Sequence, residues 1–229
     1  MGTITEILAL HGWTESIEKW GPFSESLIEK NIKIKIPAVP GLTKKISRAW
    51  TLEDYIDWLK KIIGTKKVIL LGHSNGGRIA IAFTAKYPSS VRRLILIDSA
   101  GIYHNELPIK IKRELFKRLT QIGRKITNSE SLRNIFYKLI RESDYKNADS
   151  IQRQIMVNLI YQDLTPMMKR IKVPTLIIWG KEDKTTPLSD GKTIHKLIKG
   201  SQIEVIENSN HSPHYTHPKK VAKIIHEYL

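Results

Sequence analysis

Ser74 lies in a short segment, Gly72-His-Ser-Asn-Gly76, whose residue types favour a reactive serine. An apolar, strand-like run from Val68 to Leu71 comes directly before it, and an Ala/Ile-rich helical pattern follows. This order fits the G-x-S-x-G nucleophile elbow, in which the serine takes a strained backbone conformation and needs small neighbours. The turn would raise the hydroxyl above the sheet and place the Asn75 N–H at a helix N-terminus, where it can stabilise an oxyanion. Alone, the pattern also fits a glycine-rich turn with an incidental serine.

Two further residues could activate this hydroxyl. A serine needs a base that accepts its proton, and the base needs an acid that fixes its tautomer. Asp183 follows one predicted strand in Trp179-Gly-Lys-Glu-Asp183, and His211 follows the last predicted strand. Because parallel strands place their carboxyl ends at one edge of a sheet, we expect Ser74, Asp183 and His211 to converge. The sequence therefore predicts a nucleophile, an acid and a base, in that chain order.

Other residues compete for the roles of acid and base. Asp98 also ends a predicted strand and could supply the acid, and Glu182 is a less favoured choice. His214 and His217 follow His211 at three-residue intervals, a spacing that could also suggest a metal site. A zinc site needs a set of ligands that nothing else in the sequence supplies, so we predict no metal and no cofactor.

The predicted elements that must position these residues alternate along the chain. Strands are predicted at 3–10, 32–36, 67–71, 91–97, 173–179 and 202–206, and helices at 20–30, 52–63, 78–87, 188–198 and from Pro218 onward. This alternation favours an α/β fold with a mostly parallel, doubly wound sheet of about six strands, covered by helices on both faces. A chain of 229 residues is long enough for one such domain with an insertion.

The insertion is predicted to follow the strand that ends at Asp98. Residues 101–170 contain no strand signal, only helical stretches at Ile109–Leu119, Leu132–Glu142 and Ile151–Tyr161. Between residues 106 and 170 there are 14 Lys/Arg and 7 Asp/Glu, so the net charge of this part is +7. We therefore expect a basic helical cap at 101–170 and a core formed by 1–100 and 171–229.

Composition narrows the classes of partner and the location. The net charge is +16, but the basic residues are spread along the chain without an arginine-rich tail, which favours a solvated lysine surface over specific nucleic-acid binding. The absence of cysteine excludes disulfides and a thiol nucleophile. No apolar run is long enough for a membrane span and no secretory signal is recognisable, so a cytoplasmic location without a membrane partner is the expectation.

Taken together, the motifs resemble the α/β-hydrolase superfamily with a helical cap. The resemblance rests on His11-Gly12, Gly72-His-Ser-Asn-Gly76, Trp179-Gly-Lys-Glu-Asp183 and His211, in order over almost the whole chain. It implies a triad of Ser74, Asp183 and His211. It also implies that the loop after the first strand gives a second oxyanion donor, the N–H of Trp13, beside that of Asn75. His11 and His73 are expected to pack and hydrogen-bond near the elbow.

The chain also departs from many members of the family that it resembles. Many of them carry an Asp-x-Pro-Gly-x-Gly-x-Ser loop after the second core strand, where this chain has Ala38-Val-Pro-Gly-Leu-Thr43, and the N-terminal two-strand hairpin of many relatives is missing. These differences affect the pocket and the size of the sheet rather than the triad.

The function that the resemblance implies is a carboxylesterase without cofactor that acts on a small acyl substrate. Lactones, thioesters or a carbon–carbon bond are alternatives for the same triad. A ligand-binding protein that keeps the fold without turnover is an alternative of another class.

Overall fold

Six parallel strands form the centre of the fold. The computed structural model describes residues 5–13, 16–103 and 149–229. In these ranges the strands are β1 (Thr5–Leu10), β2 (Ile32–Lys35), β3 (Val68–His73), β4 (Val91–Ile97), β5 (Thr175–Gly180) and β6 (Gln202–Ile206). They lie in the order β2-β1-β3-β4-β5-β6, and every neighbouring pair is parallel. The predicted α/β class with a six-stranded sheet is therefore confirmed.

Helices connect the strands and cover the sheet. In the described ranges they are α1 (Gly21–Ile28), α2 (Leu52–Ile63), α3 (Asn75–Lys86), α4 (Ser150–Ile160), α5 (Thr165–Met168), α6 (Leu188–Leu197), α7 (Pro213–Thr216) and α8 (Pro218–Tyr228). Single 3-10 turns precede α1 at Ile17–Trp20 and β4 at Pro88–Ser90. None of the helices in the part of the chain that the structure describes is both long enough and apolar enough to cross a membrane.

The two faces of the sheet support two separate cores. Successive side chains of a strand point to opposite faces, so Leu8 and Leu70 belong to one buried cluster and Ile7 and Ile69 to the other. The first cluster contains the apolar stripes of α2, α3 and α6, and the second contains those of α1 and α8. With both faces covered, the central strands β1, β3 and β5 are buried along most of their length, whereas the edge strands β2 and β6 alternate between apolar and polar residues.

Local signals explain where α2 begins and ends. The Thr51 side chain accepts the N–H of Asp54, and the Asp54 carboxylate accepts the N–H of Thr51, so the capping box is complete. Arg48 also binds this carboxylate, and its guanidinium holds the pKa of Asp54 well below the usual range. Gly64 then ends the helix with a positive φ of 62°.

Two predicted helices differ from the observed ones at their ends. The helix expected at 20–30 starts as a 3-10 turn, and its α-helical part spans only Gly21–Ile28. The helix expected from Arg78 begins at Asn75, since the glycines that follow Ser74 are themselves helical. Low helix propensity of glycine hid this first turn from the sequence pattern.

Only part of the predicted cap lies in the described ranges. The helix expected at 151–161 is confirmed as α4, whereas those expected at 109–119 and 132–142 lie outside the described residues. Helix α4 packs on the core: Ile155 is fully buried and Asn158 donates to the Trp50 carbonyl at 3.1 Å. After it, the Gln162 carbonyl accepts a hydrogen bond from Arg78 of α3 at 2.8 Å. The division into core and cap stays a prediction.

Candidate active site

Ser74 occupies the turn between β3 and α3 in a conformation that side chains rarely adopt. Its φ is 52° and its ψ is −120°. A conformation of this kind costs about 1–3 kcal/mol and persists only where the surroundings fix it. Here the Ser74 N–H donates to the Ile97 carbonyl at 3.1 Å, and its carbonyl accepts from Gly77 and Ala100, each at 3.0 Å. The strain is therefore held by the end of β4 and by the first turn of α3.

Small residues around Ser74 allow this turn to be tight. A Cβ at Gly72 would overlap the backbone of Gly77, and a Cβ at Gly76 would overlap the carbonyl oxygen of Leu10. The first turn of α3 is thus pressed against the end of β1. As a result, the loop that follows β1 lies directly beside the elbow.

The structure brings the three predicted residues into one hydrogen-bonded relay. Ser74 Oγ lies 2.9 Å from His211 Nε2, and His211 Nδ1 lies 2.8 Å from Asp183 Oδ2. Ser74 follows β3, Asp183 follows β5 and His211 follows β6, so the carboxyl ends of three parallel strands supply the three groups. The Asp183 side chain is fully buried, whereas that of His211 is 24% exposed. Such a relay can deprotonate the serine hydroxyl.

The carboxylate of Asp183 is held on both oxygens. Oδ1 accepts the N–H groups of Thr185 at 2.7 Å and Thr186 at 3.1 Å, and Oδ2 accepts the Thr186 hydroxyl at 2.7 Å. Burial alone would raise the pKa of Asp183. The hydrogen bonds from His211, Thr186 and Thr185 outweigh burial and hold the pKa below its usual value. Asp183 is therefore ionised at neutral pH with Oδ2 turned toward His211.

The loop after β1 is fixed by His11. The Val39 N–H donates to His11 Nε2 at 3.2 Å and the Thr43 hydroxyl lies 3.0 Å from the same nitrogen. Because Nε2 accepts, we assign the proton to Nδ1, which lies 2.8 Å from the Gly12 carbonyl. His11 thus packs and hydrogen-bonds, as the sequence predicted. Trp13 lies in this loop, half-buried against the core, and its role as an oxyanion donor stays a prediction.

The sequence pattern of the family described as "Serine aminopeptidase, S33" matches residues 4–216 of this chain. This match covers all three residues of the relay. The chain belongs to this family of α/β hydrolases. Family membership makes the protein a hydrolase, and the parallel sheet with the serine elbow is the framework that the family shares.

Curated relatives of this hydrolase carry several different names. It is 27% identical over 255 residues to "Monoacylglycerol lipase ABHD6" of Mus musculus, covering 97% of this chain and 75% of that protein. It is 31% identical over 212 residues to "Proline iminopeptidase" of Saccharolobus solfataricus, covering 78% of this chain and 67% of that protein. It is 26% identical over 254 residues to a "2-hydroxy-6-oxononadienedioate/2-hydroxy-6-oxononatrienedioate hydrolase" of Escherichia coli, covering 97% of this chain and 86% of that protein.

Solved structures share the fold. A thermophilic esterase from Thermogutta terrifontis, in its malate-bound form, has a TM-score of 0.72 at 23% identity, covering 99% of this chain and 90% of that one. A putative lipase from Acinetobacter baumannii has a TM-score of 0.75 at 22% identity, covering 100% of this chain and 84% of that one. Both similarities support the α/β-hydrolase fold of the chain.

Asp98, the alternative acid, is used differently in this hydrolase. Its Oδ1 accepts the N–H of Gly180 at 2.8 Å, while Asp183 Oδ2 accepts the hydrogen bond from His211 Nδ1. Its Oδ2 is buried and has no hydrogen-bond partner among the described residues. Burial and the neighbouring Asp183 carboxylate raise the pKa of Asp98 to about 8, although the Gly180 N–H and His73 partly offset them. Asp98 therefore stays protonated at neutral pH and joins the ends of β4 and β5.

This raised pKa predicts a pH dependence of stability. Between pH about 4 and pH about 8 the folded protein keeps a proton on Asp98 that the unfolded chain has lost, so stability falls as the pH rises through this window. Asp98→Asn keeps an oxygen for the Gly180 N–H but cannot ionise. We expect its free energy of unfolding, relative to that of the wild type, to rise by a few kcal/mol between pH 5 and pH 9.

Urea unfolding of both proteins at pH 5, 7 and 9 measures this difference. Groups that do not interact with Asp98 titrate alike in both proteins, so the difference reports Asp98 together with the neighbouring Asp183 and His73. Parallel pH profiles for the two proteins would contradict the assigned protonation state.

His73, His214 and His217 are outside the hydrogen-bonded relay of Ser74, His211 and Asp183. His73 Nε2 lies 2.7 Å from the His211 carbonyl and can donate to it, and the His73 ring packs 4.5 Å from that of His214. His217 is half-buried, with Nδ1 2.9 Å from the Thr216 hydroxyl. Of the three histidines at three-residue spacing, His211 contacts Ser74.

Metal-ligating side chains do come close at one place. Among the described residues, His73, Asp98 and His211 form the one group whose ligand atoms lie within 4.8 Å of one another. His211 uses both ring nitrogens in the relay, and Asp98 Oδ1 binds the Gly180 N–H. A metal would have to displace these bonds. The expectation of a metal-free and cofactor-free site stays a prediction.

Sequence reasoning did not identify Thr186 as part of the site. Its hydroxyl contacts Asp183, His211 and the backbone of Asp98. The one sequence feature that could have indicated its role is its place in the chain. Thr186 lies between the proposed acid Asp183 and Pro187, in a loop at the carboxyl edge of the sheet. Glu182, the other acid that the sequence offered, is exposed beside this loop.

Proposed function

We propose that this hydrolase cleaves carboxylic esters of small substrates through an acyl-enzyme on Ser74. The observation that carries the proposal is the continuous relay from Ser74 Oγ through His211 to Asp183, with distances of 2.9 and 2.8 Å. Each group has the residue type and the hydrogen-bond reach that its role requires. The names of the ester-cleaving relatives and structural neighbours add support.

In the first half of the reaction, Ser74 Oγ attacks the acyl carbon while His211 Nε2 takes its proton. The imidazolium that forms keeps its Nδ1–H on the Asp183 carboxylate, whose negative charge stabilises it. When the tetrahedral intermediate collapses, His211 Nε2–H gives this proton to the departing alkoxide oxygen. Water then enters, loses a proton to His211 and attacks the acyl-enzyme, which releases the carboxylic acid and restores Ser74.

The developing oxyanion needs donors that are in place before the reaction. We assign this role to the backbone N–H groups of Asn75 and Trp13. Asn75 is the first residue of α3, where the positive end of the helix dipole favours an anion. Trp13 belongs to the loop that the close approach of Gly76 to Leu10 holds against the elbow.

The same groups could act on related bonds. Lactones and thioesters need no other catalytic residue than an ester does, and the similarity to the E. coli hydrolase extends the range of candidates to a carbon–carbon bond. We propose that the cap at 101–170 determines which of these substrates is accepted, and its excess of basic residues would favour anionic substrates.

The cytoplasmic location expected from the sequence stays a prediction.

An activity panel tests the proposed substrate class. Purified protein is assayed with p-nitrophenyl esters of increasing acyl length, with lactones, with acyl thioesters and with proline p-nitroanilide, each beside Ser74→Ala. The proposal predicts Ser74-dependent turnover that is highest on one of the esters. Ser74-dependent turnover that is highest on the anilide would assign an aminopeptidase instead. No turnover at all would favour the non-catalytic ligand-binding alternative.

A further inference from the structure

The hydroxyl of Thr186 lies at the meeting point of three groups in the candidate site. Thr186 Oγ1 is 2.7 Å from Asp183 Oδ2, 3.1 Å from the Asp98 carbonyl and 3.3 Å from His211 Nδ1. The residue is 9% exposed, so water does not compete freely for these contacts. A side chain with these contacts can influence the proposed acid and the proposed base together.

The hydrogen and the lone pairs of the Thr186 hydroxyl serve different contacts. It has one hydrogen, and the shortest contact, to Asp183 Oδ2, is the strongest place for it because that acceptor is charged. Its lone pairs remain for the His211 Nδ1–H, which is then shared between Asp183 Oδ2 and Thr186 Oγ1. The hydroxyl therefore stabilises the carboxylate and, at the same time, helps to hold the ring.

The backbone of Thr186 is fixed well enough to make this geometry reproducible. Its N–H donates to Asp183 Oδ1 at 3.1 Å, and its carbonyl accepts the indole N–H of the buried Trp179 at 2.9 Å. Pro187 follows and restricts the conformation of the residue before it. The branched Cβ of threonine limits rotation of the side chain as well.

We propose that Thr186 is a positioning residue that sets the orientation and the proton affinity of the His211–Asp183 pair. This inference rests on the proposed function, because it assigns Thr186 a part in the same reaction. Valine has the shape of threonine but lacks the hydroxyl, so Thr186→Val removes one hydrogen bond from Asp183 and one contact from His211.

Two effects follow from this loss. The pair binds its first proton more tightly without the donor on Asp183, so the acid limb of the kcat/KM profile moves to higher pH by about half a unit or more. The ring is less well held against Ser74, so kcat falls about tenfold at the optimum while KM changes little. A residue with only a structural role would lower the melting temperature without moving the acid limb.

The experiment measures pH profiles of p-nitrophenyl butyrate hydrolysis and the rate of labelling by a fluorophosphonate reagent. Thr186→Ser keeps the hydroxyl and is expected to keep the wild-type profile. Thr186→Ala, compared with Thr186→Ser, removes the hydroxyl without adding bulk, so the inference stays testable if the valine variant fails to fold. Thr193→Val is the matched control, since the hydroxyl of this exposed threonine on α6 donates to the Ser189 carbonyl and contacts no residue of the relay.

The outcomes separate this inference from the function on which it rests. Shifted profiles for Thr186→Val and Thr186→Ala, with Thr186→Ser and Thr193→Val unchanged, support it. If both hydroxyl-free variants keep the wild-type acid limb and kcat while Ser74→Ala is inactive, the positioning role is wrong and the proposed function stands. If Ser74→Ala stays active, the proposed function itself has failed.

Discussion

Ser74→Ala is expected to lower kcat for p-nitrophenyl esters by about 10⁶-fold, the size of effect seen when a serine nucleophile is removed from a complete triad. The variant retains the proposed oxyanion donors, the N–H groups of Asn75 and Trp13, so a small residual rate over water should remain. The hydroxyl that is lost is the one 2.9 Å from His211 Nε2. The measurement is a progress curve at saturating ester, with protein pure enough to exclude contaminating esterase.

Ser24→Ala is a suitable control for this substitution. It removes a serine hydroxyl from α1 that donates to the Trp20 carbonyl at 2.8 Å, on the opposite side of the sheet from α3. We expect wild-type rates for it. Retention of more than a tenth of the wild-type kcat by Ser74→Ala would remove Ser74 from the role of nucleophile.

Asp183→Asn is expected to lower kcat by about 10⁴-fold. The two N–H groups of Thr185 and Thr186 would hold the asparagine oxygen at the Oδ1 position, which leaves its NH₂ facing His211 Nδ1. A donor at that place forces Nδ1 to accept, so the ring carries its proton on Nε2. That tautomer cannot take the proton of Ser74, although the fold is retained.

The comparison for this prediction is Glu182→Gln. Glu182 lies next to Asp183 in the chain, is exposed, and was the other acid that the sequence offered in this loop. Its substitution should leave kcat within about twofold of the wild type, since surface changes away from a site have small effects. Equal losses in the two variants, or nearly full activity of Asp183→Asn, would contradict the assignment of Asp183 as the acid.

The sequence predicted the sheet better than it predicted the surroundings of the relay. Apolar residues bounded by turn residues located β4 at Val91–Ile97 and β6 at Gln202–Ile206 with the observed bounds. In β4 the signal is the continuous apolar run Leu94–Ile97, which is buried on both faces of the sheet. In the edge strand β6 it is the alternation of polar and apolar residues at 202–205. Thr51, Gly64 and Pro218 likewise marked helix ends through local hydrogen bonding and backbone geometry.

The convergence of Ser74, Asp183 and His211 followed from topology, because three parallel strands end at one edge. The contacts that tune these groups did not follow from it. That Asp98 is buried with its Oδ1 on the Gly180 N–H, and that the Thr186 hydroxyl reaches Asp183, depend on how two adjacent strand ends fold over each other. No periodicity or motif in the sequence indicates how these two strand ends pack against each other.

The sequence also left three carboxylates, Asp98, Glu182 and Asp183, open as the acid. Both Asp98 and Asp183 end strands, and only the three-dimensional arrangement shows which one contacts the His211 ring. The pKa values of the two groups are pushed apart, with Asp98 raised to about 8 and Asp183 lowered. One carboxyl is therefore neutral and the other charged at pH 7, which agrees with the different roles proposed for them.

The most direct test of the central claim is the site at which a fluorophosphonate reagent attaches to the folded protein. Peptide mass spectrometry after brief labelling should place one phosphonyl group on Ser74, and neither Ser74→Ala nor urea-unfolded protein should be labelled. A stable adduct requires the activated hydroxyl that the relay with His211 and Asp183 supplies. Folded protein that stays unlabelled, or that is labelled at another residue with Ser74 free, would contradict the proposal.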